Sequence, residues 1–209
     1  MRVSTGIAGM TAAVMMLFAA TVEAAPPFPA DGCVTYDQAF ADGALMTVRP
    51  GVKRAHFVDI SCKDGEDCPK ELKAYLVPGD TVLASEPFRG AFCVYYGAKG
   101  RALKAGYMTE DVIQPAKPKA AEISGTWAMD DNTLTFRKSG GGLEVSGAAQ
   151  YGDNSGELKA PAKLKGGKLT ATDGTCTISG RLRGPYLVID ESDNCGGMNV
   201  SFMGIYTKR

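Results

Sequence analysis

Residues 133–150 read TLTFRKSGGGLEVSGAAQ and hold two short strand-like segments around a run of glycines. In the first segment, Leu134 and Phe136 alternate with polar residues, which is the period of a strand with one buried face. The joint Ser139-Gly140-Gly141-Gly142 is rich in residues that accept positive φ angles, as tight hairpin turns require. This stretch therefore predicts a β-hairpin.

The same pattern of short strand and glycine joint continues through the second half of the chain, with further joints at Lys165-Gly166-Gly167 and Asp173-Gly174. Evenly spaced strands with hairpin joints predict an up-and-down barrel or a tight sandwich of about eight strands. The first and last strands, around Gly125-Thr126-Trp127 and Gly204-Ile205-Tyr206, are expected to pair and so remove two open edges. The predicted strands are Ser124 to Met129, Thr133 to Arg137, Leu143 to Gln150, Glu157 to Leu164, Lys168 to Thr172, Cys176 to Leu182, Tyr186 to Asp190 and Asn199 to Tyr206.

Short strand segments also fill the first half, among them Ala44 to Val48, Ala55 to Cys62 and Ala91 to Tyr96. Turn residues bound these segments, which favours a small all-β barrel. Between the halves, residues 115–121 combine prolines with small residues and lack apolar periodicity, as an extended linker does. The chain is therefore predicted to be all-β, with two small β-barrel domains over residues 31–114 and 122–209.

Three stretches of the first half resemble the second half of a bacterial SH3-like domain. They are residues 76–82 (LVPGDTV), residues 92–96 (FCVYY) and residues 106–112 (GYMTEDV), and Tyr107 stands where that family has Trp. The resemblance implies an SH3-like barrel that binds cell-wall peptides, glycans or Pro-rich segments in an aromatic groove. It does not imply catalysis.

The end of the second half also carries a resemblance. Residues 181–190 (RLRGPYLVID) and 194–206 (NCGGMNVSFMGIY) are similar to a C-terminal module of proteobacterial exported proteins. No activity is assigned to that module, so the resemblance implies export and no chemistry.

Aromatic and basic residues of the first half form the candidate ligand-binding site. Tyr95, Tyr96 and Tyr107, with Lys99 and Arg101 in the hairpin between them, combine stacking faces with positive charge. We expect these five residues to line the groove. The alternative is that one of Tyr95 and Tyr96 packs in the core while the other is an ordinary surface tyrosine.

The first 24 residues have the pattern of a secretory signal peptide. A short positive start is followed by an apolar run from Ile7 to Ala20, and Val22-Glu23-Ala24 places small side chains at the cleavage positions. The run is shorter than the roughly 20 residues that span a bilayer, so no membrane span is expected. We therefore predict a periplasmic or secreted protein.

Export to an oxidising compartment predicts that the six cysteines pair as disulfides. Cys176 and Cys195 are the only pair in the second half. The four cysteines of the first half allow three pairings, of which Cys33 with Cys93 and Cys62 with Cys68 is preferred.

The composition argues against several function classes. Lysine and arginine balance aspartate and glutamate at 23 each, so no global field attracts nucleic acid. His56 is the only histidine, which leaves one candidate base and no metal cluster, and it reads better as a strand residue. The acidic pairs Asp130-Asp131 and Asp190-Glu191 read as turn residues rather than as calcium ligands or glycosidase carboxylates. We expect no metal, no cofactor and no enzymatic activity.

Three function hypotheses follow. The first is a non-enzymatic binding protein of the cell envelope that recognises peptidoglycan or an envelope protein through the SH3-like domain. The second is a periplasmic inhibitor of a lysozyme-like or protease enzyme, for which the loop from Lys63 to Pro69 is the candidate contact. The third, a hydrolase that uses Asp190 and Asp193, ranks last because the chain has no recognisable base or cofactor fingerprint.

Overall fold

A computed structural model describes residues 43–61, 67–88, 90–97, 103–117, 122–192 and 195–209 of the chain. The described residues form fifteen β-strands and no helix, so the all-β prediction is confirmed. No helix among them is long and apolar enough to cross a membrane. The predicted signal peptide lies outside the described residues.

The first half forms one antiparallel sheet of seven strands. Its order is β3-β2-β6-β5-β4-β1-β7, so β3 and β7 are the two edges. Ten buried apolar residues, including Val82 and Met108, make the core on one face of this sheet. The strands are β1 (Ala44–Val48), β2 (Ala55–Asp59), β3 (Lys70–Leu76), β4 (Thr81–Phe88), β5 (Ala91–Tyr96), β6 (Lys104–Thr109) and β7 (Ile113–Pro115).

The second half forms a closed barrel of eight strands. Neighbours in sequence are neighbours in the sheet, so the barrel is up-and-down, as predicted. It closes where β15 pairs with β8, through Thr207 opposite Ala128 and Lys208 opposite Trp127. The strands are β8 (Gly125–Met129), β9 (Asn132–Ser139), β10 (Gly142–Tyr151), β11 (Asn154–Lys165), β12 (Lys168–Asp173), β13 (Cys176–Arg183), β14 (Tyr186–Glu191) and β15 (Gly204–Lys208).

Apolar side chains fill the barrel interior. Trp127, Leu134, Phe136, Ile178 and Tyr206 are all within 1 % exposure and belong to one packed cluster. Along β9, β11 and β12, buried and exposed positions alternate, because successive side chains point to opposite sides of the barrel wall. The described interior of the barrel is thus a packed apolar core.

The last predicted strand is shorter than expected. Asn199 to Met203 were predicted to be extended with Val200 and Phe202 on one face, but β15 begins at Gly204. Val200 and Phe202 are buried in the barrel core from a loop. Instead of pairing in the sheet, the Phe202 amide donates to the Glu191 carboxylate at 2.8 Å. The alternation of apolar residues therefore predicted their burial correctly and their backbone conformation wrongly.

This loop covers one end of the barrel and is held by side chains. The Cys176–Cys195 disulfide joins it to β13, which confirms the predicted pairing. The Asn132 side-chain amide donates to the Ser201 carbonyl at 2.9 Å, and the Tyr206 hydroxyl donates to the Phe202 carbonyl at 2.7 Å. These contacts supply hydrogen bonds to a segment that lies outside the sheet.

Two strands of the barrel are buried on both faces. In β14, residues Tyr186 to Ile189 are all buried, and β15 shows the same pattern from Gly204 to Thr207. The inward residues belong to the barrel core. The outward residues Tyr186, Val188 and Ile205 form a second cluster with Leu83 and Cys93 of the first half. The outer face of β14 and β15 is therefore the surface on which the two halves pack.

Candidate functional site

The predicted aromatic groove is divided between the two faces of the first sheet. Tyr95 and Tyr107 lie together and pack against the cluster between the two halves. Tyr96, the next residue along β5, points the other way and packs against the core of the first sheet. Lys99 and Arg101 lie outside the described residues. The structure thus brings Tyr95 and Tyr107 together and separates Tyr96 from both.

Burial at the junction affects the chemistry of both tyrosines. Desolvation raises the pKa of Tyr95, and the nearby Tyr107 hydroxyl adds to that shift. Desolvation alone raises the pKa of Tyr107. Both hydroxyls therefore stay protonated at neutral pH and act as neutral hydrogen-bonding groups. Because both side chains are only partly buried, part of each remains open to solvent.

At this junction, side chains of each half lie against the backbone of the other half. The Tyr186 hydroxyl donates to the Thr81 carbonyl at 2.7 Å and accepts from the Gly97 amide at 3.3 Å. Thr207 fills the space that a Cβ at Gly97 would need, and a Cβ at Gly184 would meet Leu45 at 2.7 Å. Glycine at these two positions lets strands of one half reach the turns of the other.

A second aromatic surface, which sequence reasoning missed, lies at the opposite edge of the first sheet. It consists of Arg54, His56, Leu72, Tyr75 and Val77, and we call it the β3 surface. Leu72, Tyr75 and Val77 are 46, 41 and 44 % exposed, which is high for large apolar side chains in a strand and the turn that follows. Within the described residues, β3 pairs only with β2 and no strand covers its outer edge.

Side-chain contacts hold the aromatic ring of this surface in place. The Arg54 guanidinium lies 4.6 Å from the centre of the Tyr75 ring, and the His56 ring lies 5.5 Å from it. A cation over an aromatic face is favourable, so the ring is oriented before any ligand arrives. The sequence did not indicate this surface, because Leu72 and Tyr75 stand among polar residues and form no periodic apolar pattern.

His56 has a structural contact in this arrangement. Its Nδ1 atom lies 2.7 Å from the Leu72 carbonyl oxygen. Because a carbonyl can only accept, Nδ1 must carry the hydrogen. The contact spans an irregularity in the pairing of β2 with β3, where the register shifts between His56 and Val58. The histidine thus supports the bulged part of β3.

Of the acidic residues that were considered as catalytic or metal-binding groups, Asp130 and Asp131 lie in a turn as predicted, whereas Asp190 and Glu191 are the last two residues of strand β14. Asp130 sits in the β8–β9 turn with a positive φ of 50°. Glu191 accepts a hydrogen bond from the covering loop of the barrel, and Asp190 accepts one from the Glu191 amide at 3.0 Å. Asp193 lies outside the described residues. No group of three or more metal-ligating side chains occurs among the residues that the structure describes.

The cysteines of the first half are only partly within the described residues. Cys68 and Cys93 are both disulfide-bonded. The predicted pairings, Cys33 with Cys93 and Cys62 with Cys68, each include one cysteine that lies outside the described residues. Of the loop proposed as an inhibitory contact, Asp67 to Pro69 are described and exposed, and they lead directly into β3.

Comparisons with the models of known protein families, with curated proteins and with solved structures give no match for this chain.

Proposed function

We propose that this protein is an exported, non-enzymatic binding protein of the cell envelope, and that it recognises a partner protein at the edge of β3. One observation carries the proposal: Lys70 to Tyr75 are exposed on both faces of the strand, and β2 is the only described strand that pairs with it. The resemblance of this half to SH3-like domains supports a binding role. The periplasmic or secreted location follows from the predicted signal peptide.

An open strand edge suits a polypeptide ligand. An extended segment that adds to a sheet edge forms main-chain hydrogen bonds, and pockets for alternate side chains give specificity. Leu72 and Tyr75 supply apolar contact area beside that edge. Lys70, Glu71 and Lys73 place charge on the same strand, which limits unspecific pairing between copies. These features favour an envelope protein over a glycan as the ligand.

A selection experiment tests this proposal. The full oxidised mature protein is used to select peptides from a random display library, and binding is then measured for a Leu72→Ser/Tyr75→Ser variant. We expect binding to fall at least tenfold, with slower amide exchange at residues 72–75 in the complex. Tyr151→Ser is the matched control, because Tyr151 is also an exposed strand tyrosine, at 59 %.

The parent protein and its variants also distinguish peptidoglycan from a protein ligand. Co-sedimentation with purified sacculi is measured for the parent protein, for Leu72→Ser/Tyr75→Ser (the β3 variant) and for Tyr107→Ala. Retention that is lost in Tyr107→Ala and kept in the β3 variant would place the ligand in the predicted groove and overturn the β3 proposal. Failure to select peptides and to bind sacculi would overturn the binding function itself.

Inhibition of a lysozyme-like or protease enzyme is the second candidate. The observation in its favour is that the exposed, disulfide-bonded Cys68 and the adjacent Pro69 run directly into β3. An enzyme cleft that accepted this loop would also contact the β3 surface. Inhibition assays against a lysozyme and a serine protease test it, and inhibition that survives the Leu72→Ser/Tyr75→Ser change would place the contact elsewhere.

A further inference from the structure

Arg54 places a cation on the β3 surface. It lies immediately before β2, is exposed, and holds its guanidinium 4.6 Å from the centre of the Tyr75 ring. Among the residues that the structure describes, no carboxylate pairs with this guanidinium and no oxygen accepts a hydrogen bond from it. Its N–H donors are therefore open to solvent, where a ligand can reach them.

The acidic groups around this surface do not neutralise Arg54. Glu71 stands opposite Val58, which is four residues or about 13 Å along the chain from Arg54, and Asp59 lies beyond that point. In the turn after β3, the Asp80 carboxylate accepts a backbone hydrogen bond at 2.9 Å. The end of the β3 surface that carries the aromatic ring is therefore positive.

A carboxylate is the group that suits this end of the surface best. The guanidinium fork can donate two parallel hydrogen bonds to one carboxylate, and contact with the aromatic face orients the fork before a ligand arrives. Lys73, two positions before Tyr75, is also exposed and forms no ion pair within the described part of the chain. It adds a second positive charge on the same strand.

Apolar contact area lies next to this cation. Leu72 and Tyr75 are 46 and 41 % exposed. An extended ligand that covered them would also remove water from a carboxylate bound to Arg54, and an ion pair becomes stronger as it loses solvent screening. Because a fully solvated ion pair gives little affinity, the cation and the apolar side chains are needed together.

We propose that the edge of β3 selects an extended polypeptide segment in which an aspartate or glutamate side chain pairs with Arg54 while an apolar side chain packs on Leu72. This inference rests on the binding function proposed above and adds the chemistry of the partner. Leu72 and Tyr75 are three positions apart, and the strand is compressed here because four residue steps of β3 face two of β2. The acidic and apolar residues of the ligand should therefore stand two or three positions apart.

Peptides selected from the random display library with the parent protein give the first readout. We expect the enriched sequences to carry an aspartate or glutamate at that spacing from an apolar residue. One enriched peptide is then synthesised with its carboxylate and with the matching amide in its place, and both versions carry an amidated C terminus. We expect the amide version to bind at least tenfold more weakly.

Variants of Arg54 assign the contact to one side chain. Arg54→Gln should lower the affinity for the acidic peptide at least tenfold, and Arg54→Lys, which keeps the charge without the fork, at least threefold. Arg137→Gln is the matched control, because Arg137 is an exposed strand arginine of the barrel, and it should change the affinity less than twofold. The Arg54→Gln protein should bind the acidic peptide and the amide peptide within twofold of each other, because both changes remove the same contact.

The outcomes separate this inference from the binding function on which it rests. Enriched peptides without an acidic residue would overturn the inference, and so would losses from Arg54→Gln and from the amide peptide that multiply. A peptide that binds only when its C terminus is a free carboxylate would show recognition of a chain end instead. In each of these cases, loss of binding in Leu72→Ser/Tyr75→Ser would retain the β3 site. Failure to select any peptide would remove the proposed peptide binding and this inference together.

Discussion

Removal of one oxygen atom at the junction should weaken both halves of the protein together. Tyr186 is fully buried, and its hydroxyl makes two hydrogen bonds to the first half, at 2.7 Å to the Thr81 carbonyl and at 3.3 Å from the Gly97 amide. Tyr186→Phe keeps the ring and removes both hydrogen bonds. Since each lost hydrogen bond costs about 1 kcal/mol, we expect the free energy of unfolding to fall by about 2 kcal/mol.

Urea unfolding with two probes measures this effect. Trp127, buried in the barrel core, reports on the second half through its fluorescence, and amide exchange at Val94 reports on the first half. For an m-value of about 2 kcal/mol/M, the loss lowers the midpoint by about 1 M. Both probes should shift equally, because the junction couples the two halves.

The control and the refuting result are both well defined. Tyr151→Phe removes a hydroxyl from a tyrosine that is 59 % exposed, and it should change the stability by less than about 0.5 kcal/mol. If Tyr186→Phe shifted only the Trp127 transition, or changed stability no more than the control, the halves would be independent and the junction would not be a coupled interface.

Two further predictions concern pH and the disulfide of the barrel. Burial raises the pKa of Tyr186 and of Tyr206 above the ordinary value of 10.0, so the stability that they contribute is complete below about pH 10 and is lost as pH rises above it. Above that pH, each tyrosine should lower the free energy of unfolding by about 1.4 kcal/mol per pH unit. Urea midpoints measured between about pH 9 and pH 11.5 should therefore decline less steeply for Tyr206→Phe than for the parent protein. Replacement of Cys176 and Cys195 by Ala should lower the free energy of unfolding by about 3 kcal/mol, because it opens a loop that spans 19 residues in sequence. Thermal or urea unfolding measures this loss. A change below about 1 kcal/mol would show that the covering loop is held by its hydrogen bonds alone.

The barrel was predictable because its signals are local. Alternation in residues 133–137 and the glycines of residues 139–142 predicted β9, its turn and β10. The pairing of the first and last strands also followed, since eight hairpin-connected strands leave two edges that stabilise each other. The Cys176–Cys195 disulfide was predictable because the second half has no other cysteine.

The candidate sites were harder to predict because they depend on contacts between distant segments. Tyr95 and Tyr107 read as a ligand groove, but their face of the sheet packs against β14 and β15, about 90 residues later in the chain. The β3 surface escaped prediction because its aromatic ring stands among charged residues and depends on His56 of β2 and on Arg54 just before that strand.

By itself, the sequence determined the all-β class, the number of barrel strands, their turns and the disulfide of the second half. Strand periodicity and glycine conformation act over a few residues, so they can be read directly from the chain. Only the tertiary structure decided which faces are covered and which described edge stays open. These properties depend on packing between residues far apart in sequence, and the burial of a side chain is set by the strand that covers it rather than by its neighbours in the chain.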